Sequence, residues 1–247
     1  MTAFDLTRIR LRDGERFSHA TAARLYGLPL PWGLDDRIHV TSPPGIAPSR
    51  HRGCRGHHDD GTGIRLIDGL PVSTPEQTFI ELGRLLPTDA LVAVGDHLVH
   101  VPRFPEAGRP WTTIERLAAA CTERRAGVVR ARAALGSVRQ GVESPMETAL
   151  RLLLVGAGLR EPVCGYELRD GDRRIGWFDL AWPQQRVLGE YDGDQHRTSA
   201  EQYEKDIRRF DDAAEIDWRV VRVRKSGMRR AERATTVARF RRALAAA

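Results

Sequence analysis

Hydrophobic positions in the second half of the chain recur with helical and strand periods in a clear order. The stretch beginning at Ser144 repeats apolar residues at helical spacing and ends at Gly156 and Gly158. Shorter alternating runs follow, separated by Asp-Gly and Pro signals. The pattern predicts helices over 144–155, 199–216 and 229–244, and strands over 162–168, 174–182, 186–191 and 218–223. The resulting order α-β-β-β-α-β-α is typical of a three-layer α/β domain around a small mixed sheet.

The first half predicts a smaller mixed α/β unit. Ser18 can cap a short helix that ends at Gly27, and Pro75 marks the first turn of another. Strands are predicted over 36–41 and 63–67, and a further helix over 89–99. An Arg/Ala-rich amphipathic stretch over 112–135 follows several Pro and Gly residues. We therefore divide the chain into a mixed α/β module (1–105), a helical connector (106–140) and a second α/β domain (141–247).

The amino-acid composition limits the classes of protein to which the chain can belong. The chain has 247 residues, 41% of them hydrophobic, which is enough to bury two modest cores. It contains no apolar run long enough to cross a bilayer, and its charged start lacks the apolar segment of a secretory signal. The three cysteines are scattered and predict neither a disulfide framework nor a zinc site. We expect a cytoplasmic protein with no membrane partner.

The net charge of +6 favours a polyanionic partner, and DNA is the leading one. All 39 basic residues except Lys205 and Lys225 are arginine, a ratio that the codon bias of a GC-rich genome would also produce. Arginine suits phosphate because its planar fork binds two oxygens. The residues predicted to contact nucleic acid lie at the end of the last predicted strand and beyond it: Arg222, Arg224, Lys225, Arg229 and Arg230. A charge run of this kind is also typical of a solvated helix face.

The stretch HRGCRGHH at 51–58 contains three histidines and a cysteine. Their spacing fits no tetrahedral metal pattern well. We therefore interpret it as a solvated basic loop.

Acidic residues occupy unusual places in the predicted second domain. Asp179 lies in the apolar strand IGWFDLAW, and Glu190 ends the next strand. Asp192 points the same way as Glu190 because strand side chains alternate with period two. A hairpin between these strands would gather all three acids on one face. Such crowding requires shared protons or a divalent cation, and oxygen ligands suit Mg²⁺ or Mn²⁺.

Four residues near these acids each admit two interpretations. Glu147 completes the capping box Ser144-Pro145-Met146-Glu147, and it is equally a possible fourth oxygen ligand. Asp192-Gly193 also matches a favoured hairpin turn, and Asp194 is predicted to be a solvated turn acid. His196 is either a surface histidine or a group that transfers a proton or contacts phosphate.

Four blocks of the second half occur in the order GVESPMETALRLLLVGAGL, WFDLAWP, VLGEYDGDQH and EKDIRRFDDAAEIDWRVVRV, covering roughly the last hundred residues. Together they resemble the DUF559 family of the PD-(D/E)xK nuclease superfamily, which is related to Vsr-type endonucleases. The resemblance implies a restriction-endonuclease-like fold. It also implies the roles of Glu147 as helix acid, Asp179 as central metal ligand and Glu190 as the acid of the (D/E)xK element. Asp192 and His196 fall on the family's E-x-D-G-x-x-H.

The superfamily lysine that orients the attacking water would stand at position 192, where this chain has Asp. Lys205 on the following helix, or His196 as in Vsr-type enzymes, would have to take that role.

The first half resembles the AbiEi-like antitoxin or regulator module through SHATAARLYGLPLP, DRIHVTSPPG and GLPVSTPEQTFIELG. Because the second half resembles nucleases, the expected function is a divalent-metal-dependent DNA endonuclease or nickase. The alternatives are a non-catalytic DNA-binding or antitoxin-like regulator with a degenerate nuclease fold, and a protein-interaction module.

Overall fold

The computed structural model describes residues 11–58, 63–104, 106, 108–193 and 200–246, with the backbone alone for 200–206. The chain is a mixed α/β protein, as predicted, and it forms two compact units, Met1–Val138 and Arg139–Ala247. Within the described residues, no helix has both the length and the apolar character needed to span a membrane.

The first unit is built on a five-stranded mixed sheet with the order β3-β2-β1-β5-β4. Strand β1 pairs antiparallel with β2 and parallel with β5, while β2 and β3 are parallel. Its strands are β1 Arg16–Phe17, β2 Ile38–Ser42, β3 Cys54–His58, β4 Ile64–Ile67 and β5 Leu70–Ser73. Its helices are α1 His19–Leu25, α2 Pro75–Leu82, α3 Thr88–Val99, α4 Ile114–Ala120 and α5 Val128–Leu135.

Strands β1, β3 and β5 are absent from the sequence prediction. The interpretation of 51–58 as a loop is wrong for Cys54–His58, which pairs along its whole length with β2. Its residues, CRGHH, show no alternation of apolar and polar side chains. The strand forms because β2 supplies partners for its backbone hydrogen bonds. Such pairing cannot be predicted from the periodicity of the side chains.

The segment 106–140, predicted to be a helical connector, contains α4 and α5, and its residues up to Val138 belong to the first unit. The amphipathic stretch over 112–135 contains two helices. Helix α4 ends at Ala120, and α5 begins directly after Gly127, whose φ of +94° is a left-handed conformation that favours glycine. A side chain there would also overlap the carbonyl oxygen of Ile80 in α2.

The second unit follows the predicted element order closely. Its four-stranded sheet has the order β6-β7-β8-β9, with β8 and β9 parallel and the other neighbours antiparallel. Its strands are β6 Val163–Asp170, β7 Arg173–Trp182, β8 Val187–Asp192 and β9 Arg219–Arg224. Its helices are α6 Pro145–Gly156, α7 Ala200–Glu215 and α8 Arg233–Ala245.

Helices cover both faces of this sheet, so the second unit has three layers. Leu150 of α6 and Phe240 of α8 pack into one apolar cluster, and Phe210 and Ala213 of α7 pack into another. Gly189 of β8 allows the first cluster to close, because a Cβ atom there would lie 2.9 Å from Cε1 of Phe240.

Strand β7 is irregular beside the first candidate acid. Phe178 and Ala181 pack in the same cluster, although strict alternation would place residues three apart on opposite faces. The pairing with β6 holds on either side of Gly165, which has a φ of +58°. The irregularity therefore falls at Asp179.

The segment that precedes α6 packs closely against β6, and Gly141 lies at this contact. Gly141 has a φ of +79°, and a Cβ atom there would lie 2.6 Å from the carbonyl oxygen of Cys164. Gly158, after the end of α6, has a similar φ of +82° but faces open space.

We expect Gly141→Ala to destabilise the protein more than Gly158→Ala. Both substitutions carry the left-handed backbone cost of about 1–2 kcal/mol, and only the first adds overpacking of about 1–3 kcal/mol. Urea unfolding of the two full-length variants measures the difference. Equal destabilisation would contradict the close approach at Gly141.

Candidate functional site

Two predicted acids lie where strands β7 and β8 separate. The pairing of these strands runs from Trp182 opposite Val187 to Leu180 opposite Gly189. Beyond it, Oε2 of Glu190 accepts a hydrogen bond from the Asp179 N–H at 3.3 Å, and Oδ2 of Asp179 accepts one from the Tyr191 N–H at 2.6 Å. Side-chain carboxylates thus bind main-chain donors at the point where the strands part.

The third acid, Glu147, is buried in the first turn of α6, with 8% of its surface exposed. Its N–H donates to Oγ of Ser144 at 3.2 Å, and its Oε2 accepts from the N–H of Glu143 at 2.8 Å. The capping interaction is therefore made, although the carboxylate reaches the residue before the N-cap.

Burial and repulsion between neighbouring carboxylates change the pKa values of acids in this site. Burial raises the pKa of Asp179 well above its usual value, and Glu190 and then Glu147 raise it further. Burial also raises the pKa of Glu147 to about 7, with contributions from Glu143 and Glu190. Ionisation of Asp179 and Glu147 is therefore costly because both are buried and lie near other carboxylates.

Arg209 of α7 supplies positive charge to this site, and sequence reasoning missed it. Its Nη2 lies 2.5 Å from Oε1 of Glu190, and its Nη1 donates to the carbonyl oxygen of Trp177. The guanidinium stacks over Phe178 and Phe210 at 4.7 and 5.0 Å from the ring centroids.

Glycine at position 176 makes this approach possible, because a side chain there would overlap the stem of Arg209. The only sequence signal was an arginine beside a phenylalanine in an amphipathic helix, which is common on surface helices.

Asp192 lies on the same side of β8 as Glu190, as the strand period predicts, and it also forms ion pairs. Its Oδ2 is 2.9 Å from Nη2 of Arg222 and 3.7 Å from Nε of Arg224. The alternative of a hairpin turn at Asp192-Gly193 is not what the structure has, because Asp192 ends a strand that pairs in parallel with β9.

The predicted nucleic-acid residues divide into two groups. The Arg222 guanidinium faces Asp192 and stacks over Phe210, with 4.6 Å to the ring centroid. The other four side chains are exposed, and we name them the C-terminal basic surface: Arg224, Lys225, Arg229 and Arg230. Asp194 and His196 lie outside the described residues, as does the side chain of Lys205.

The donor set of Glu147, Asp179 and Glu190 fits a hard divalent cation in its chemistry, since all three offer carboxylate oxygens. The three do not approach as closely as a metal-ligand set: among the described residues, the one group whose ligand atoms all lie within 4.8 Å of one another is a histidine cluster in the first unit. A cation would have to share Glu190 with Arg209 or displace it.

Comparison with known proteins identifies relatives without a stated activity. Uncharacterized protein MT2308 of Mycobacterium tuberculosis strain CDC 1551 / Oshkosh is 27% identical over 210 residues, which cover 85% of this chain and 74% of its own. Uncharacterized protein Rv2248 of strain ATCC 25618 / H37Rv gives the same values. No protein-family model and no solved structure matches the chain.

The raised pKa of Glu147 predicts a pH-dependent stability. Because its pKa is about 7 in the folded chain and near 4.5 when unfolded, the folded state binds the proton more tightly. Stability from this group is therefore present below pH 4.5 and lost as the pH rises through 7, by roughly 3 kcal/mol.

We expect Glu147→Gln to remove this part of the pH dependence and to be more stable than wild type at about pH 8. Glutamine can still accept the hydrogen bond from the Glu143 N–H. Urea unfolding across the pH range measures the difference, with Glu232→Gln at the exposed start of α8 as the control. A Glu147→Gln curve parallel to wild type would contradict the electrostatic assignment.

Proposed function

We propose that the second unit is a divalent-metal-dependent DNA endonuclease or nickase domain of the DUF559 kind, with a restriction-endonuclease-like fold. The observation that carries the proposal is the group of three partly or fully buried carboxylates from α6, β7 and β8, in which burial first and then the neighbouring carboxylates raise the pKa values of Asp179 and Glu147. A protein that keeps such repelling charges together bears a cost that a bound cation would remove.

In this proposal Glu147, Asp179 and Glu190 hold Mg²⁺ or Mn²⁺. The ion would polarise a phosphodiester oxygen and lower the pKa of a water molecule. Without it, the raised pKa values favour a retained proton on Asp179 and Glu147, while Arg209 balances the charge of Glu190. The family resemblance gives His196 the role of the proton-transferring base.

The partner in this proposal is DNA, bound in part through the C-terminal basic surface. Arg224 ends β9, the strand that pairs with the acid-bearing β8, and the other three cations follow it. Their charges would bind phosphates and release counterions.

A non-catalytic DNA-binding regulator is the second candidate, and two observations favour it. Arg209 already pairs with Glu190, as a substitute for a cation would. Position 192 carries an aspartate tied to Arg222 instead of the superfamily's lysine. The resemblance of the first half to AbiEi-like modules agrees with this function.

Cleavage of supercoiled plasmid distinguishes the two functions. We expect Mg²⁺ or Mn²⁺ to support nicking or cutting, and Asp179→Asn to reduce its rate by on the order of 100-fold or more. Asparagine keeps a side-chain oxygen for the Tyr191 N–H, so the strand geometry is preserved. Asp170→Asn, an exposed aspartate on β6, is the matched control and should cleave like wild type.

Cleavage that is equal in wild type and Asp179→Asn would identify a contaminant and contradict the nuclease. Tight DNA binding without cleavage, in the presence of either ion, would establish the regulator.

The C-terminal basic surface makes a separate prediction about binding. The double variant Arg229→Ala/Arg230→Ala should weaken DNA binding and reduce the slope of log K against log salt by about 0.9 for each phosphate that is no longer neutralised. Arg50→Ala/Arg52→Ala, which removes two exposed arginines of the first unit, changes the net charge equally. Equal slopes for the two double variants, measured by fluorescence anisotropy, would show that net charge alone accounts for binding.

A further inference from the structure

The first unit contains a group of three imidazoles that the nuclease proposal does not use. His19, His39 and His57, which we name the histidine cluster, each offer a ring nitrogen within 4.8 Å of the others. Nδ1 of His39 lies 2.9 Å from Nε2 of His57, and the rings of His19 and His57 stack with 3.6 Å between centroids. His19 and His39 are buried, and His57 is partly buried.

The sheet of the first unit brings these residues together from distant parts of the sequence. His39 and His57 lie on the parallel neighbours β2 and β3, where His57 is opposite Thr41, two residues beyond His39. They therefore project from the same face. His19 begins α1 directly after β1, which pairs with the other edge of β2.

The backbone at His19 is held in an uncommon conformation. Its φ of +50° lies in the left-handed region, which is costly for a non-glycine residue. The His19 N–H donates to Oε2 of the buried Glu81 at 2.8 Å, which offsets part of that cost. The imidazole is thereby placed over His57.

Each buried imidazole has a carboxylate near one of its two ring nitrogens. Nδ1 of His19 is 3.7 Å from Oε2 of Glu81 and 3.0 Å from Oγ of Ser18, which leaves its Nε2 as the ligand atom. Nε2 of His39 is 3.9 Å from Oδ2 of Asp35 and has no hydrogen-bond partner. Carboxylates behind metal-bound imidazoles are a common device for orienting the ring.

The three rings are in the form that binds metal. Burial lowers the pKa of His19 to about 2 and those of His39 and His57 to about 4 each, so all three are neutral at physiological pH. Arg55 and Arg84 add positive charge nearby, and Glu81 and Asp35 supply opposite charge.

We infer that the histidine cluster is a zinc site, in which His19, His39 and His57 supply three imidazole nitrogens and leave a fourth position for water or another ligand. Three imidazoles suit a borderline ion such as Zn²⁺, whereas Mg²⁺ prefers oxygen. The site is separate in chemistry from the carboxylates of the second unit and does not depend on the function proposed for them.

Zinc binding requires a small rearrangement of His57. Two stacked rings cannot both direct their in-plane lone pairs at one ion. Tetrahedral ligands at Zn–N distances of about 2.0–2.1 Å lie about 3.3 Å apart, so the 2.9 Å contact must also lengthen. His57 is the one member that is partly exposed, and it is therefore the ring expected to turn.

Equilibrium dialysis of untagged, full-length protein against Zn²⁺ tests the inference. We expect one Zn²⁺ per wild-type chain, a Kd at least about 100-fold weaker in His57→Gln, and no effect of excess Mg²⁺. His58→Gln is the matched control because His58 is the next residue on β3, exposed and of opposite strand parity. It should bind like wild type.

Co²⁺ provides a readout that a merely structural defect would not reproduce. Binding at three imidazoles should give the strong visible absorption of a four-coordinate Co²⁺ ion in wild type and His58→Gln, and not in His57→Gln. Circular dichroism checks that each variant is folded.

Three results would overturn the zinc site. They are the absence of stoichiometric Zn²⁺ in wild type, equal affinity in folded His57→Gln, and equally weakened binding in His58→Gln. The first would mean that the 2.9 Å contact is a hydrogen bond between two neutral imidazoles. Plasmid cleavage by His57→Gln in the presence of Mg²⁺ distinguishes failure of the zinc site from failure of the proposed nuclease, because this variant lacks a zinc ligand and keeps the carboxylates of the second unit. A chelator such as EDTA would remove both ions and would not make this distinction.

Discussion

The arrangement of the second unit depends on the electrostatic cost of placing carboxylates at the point where strands β7 and β8 separate. Asp179 and Glu190 take the main-chain N–H groups that a continuing β-ladder would bind, so their positions follow from the end of the pairing between β7 and β8. Glu147 adds a third carboxyl group from α6, which raises the pKa of Asp179 further. Arg209 balances part of the charge of these acids, and it reaches Glu190 by lying across two phenylalanine rings over a glycine. The packing of α7 on the sheet therefore also places the guanidinium that balances part of the negative charge at the site.

The two units gather opposite kinds of ligand chemistry. The second unit concentrates hard oxygen donors, and the pKa values of Asp179 and Glu147 rise because burial and like charge both oppose ionisation. The first unit concentrates imidazoles whose pKa values fall, because burial and neighbouring cations oppose protonation. Burial acts on both clusters in the same physical way, by disfavouring the charged form. Burial therefore favours protonated carboxyl groups at Asp179 and Glu147, and neutral imidazoles in the histidine cluster.

Much of the fold was predictable where side-chain periodicity reflects burial. In the second unit every α-helix and strand over the described residues was expected, because α6 and the strands β7 and β8 pack on buried cores and show it in their sequence. The short 3-10 helices Pro183–Gln185 and Lys225–Met228 were not expected. In the first unit β1, β3 and β5 were missed. The residues of β3 show no alternation of apolar and polar side chains, and its stability comes from backbone pairing with β2.

By itself, the sequence determined that the chain is a mixed α/β protein, that Glu190 and Asp192 share one side of a strand, and that Asp179 sits in apolar surroundings. These follow from local periodicity, which the backbone imposes on neighbouring residues. Only the tertiary structure decided that Arg209 pairs with Glu190, that Arg222 pairs with Asp192, and that three histidines far apart in the chain meet. Such contacts depend on how sheets and helices pack, and residue spacing carries no record of that packing.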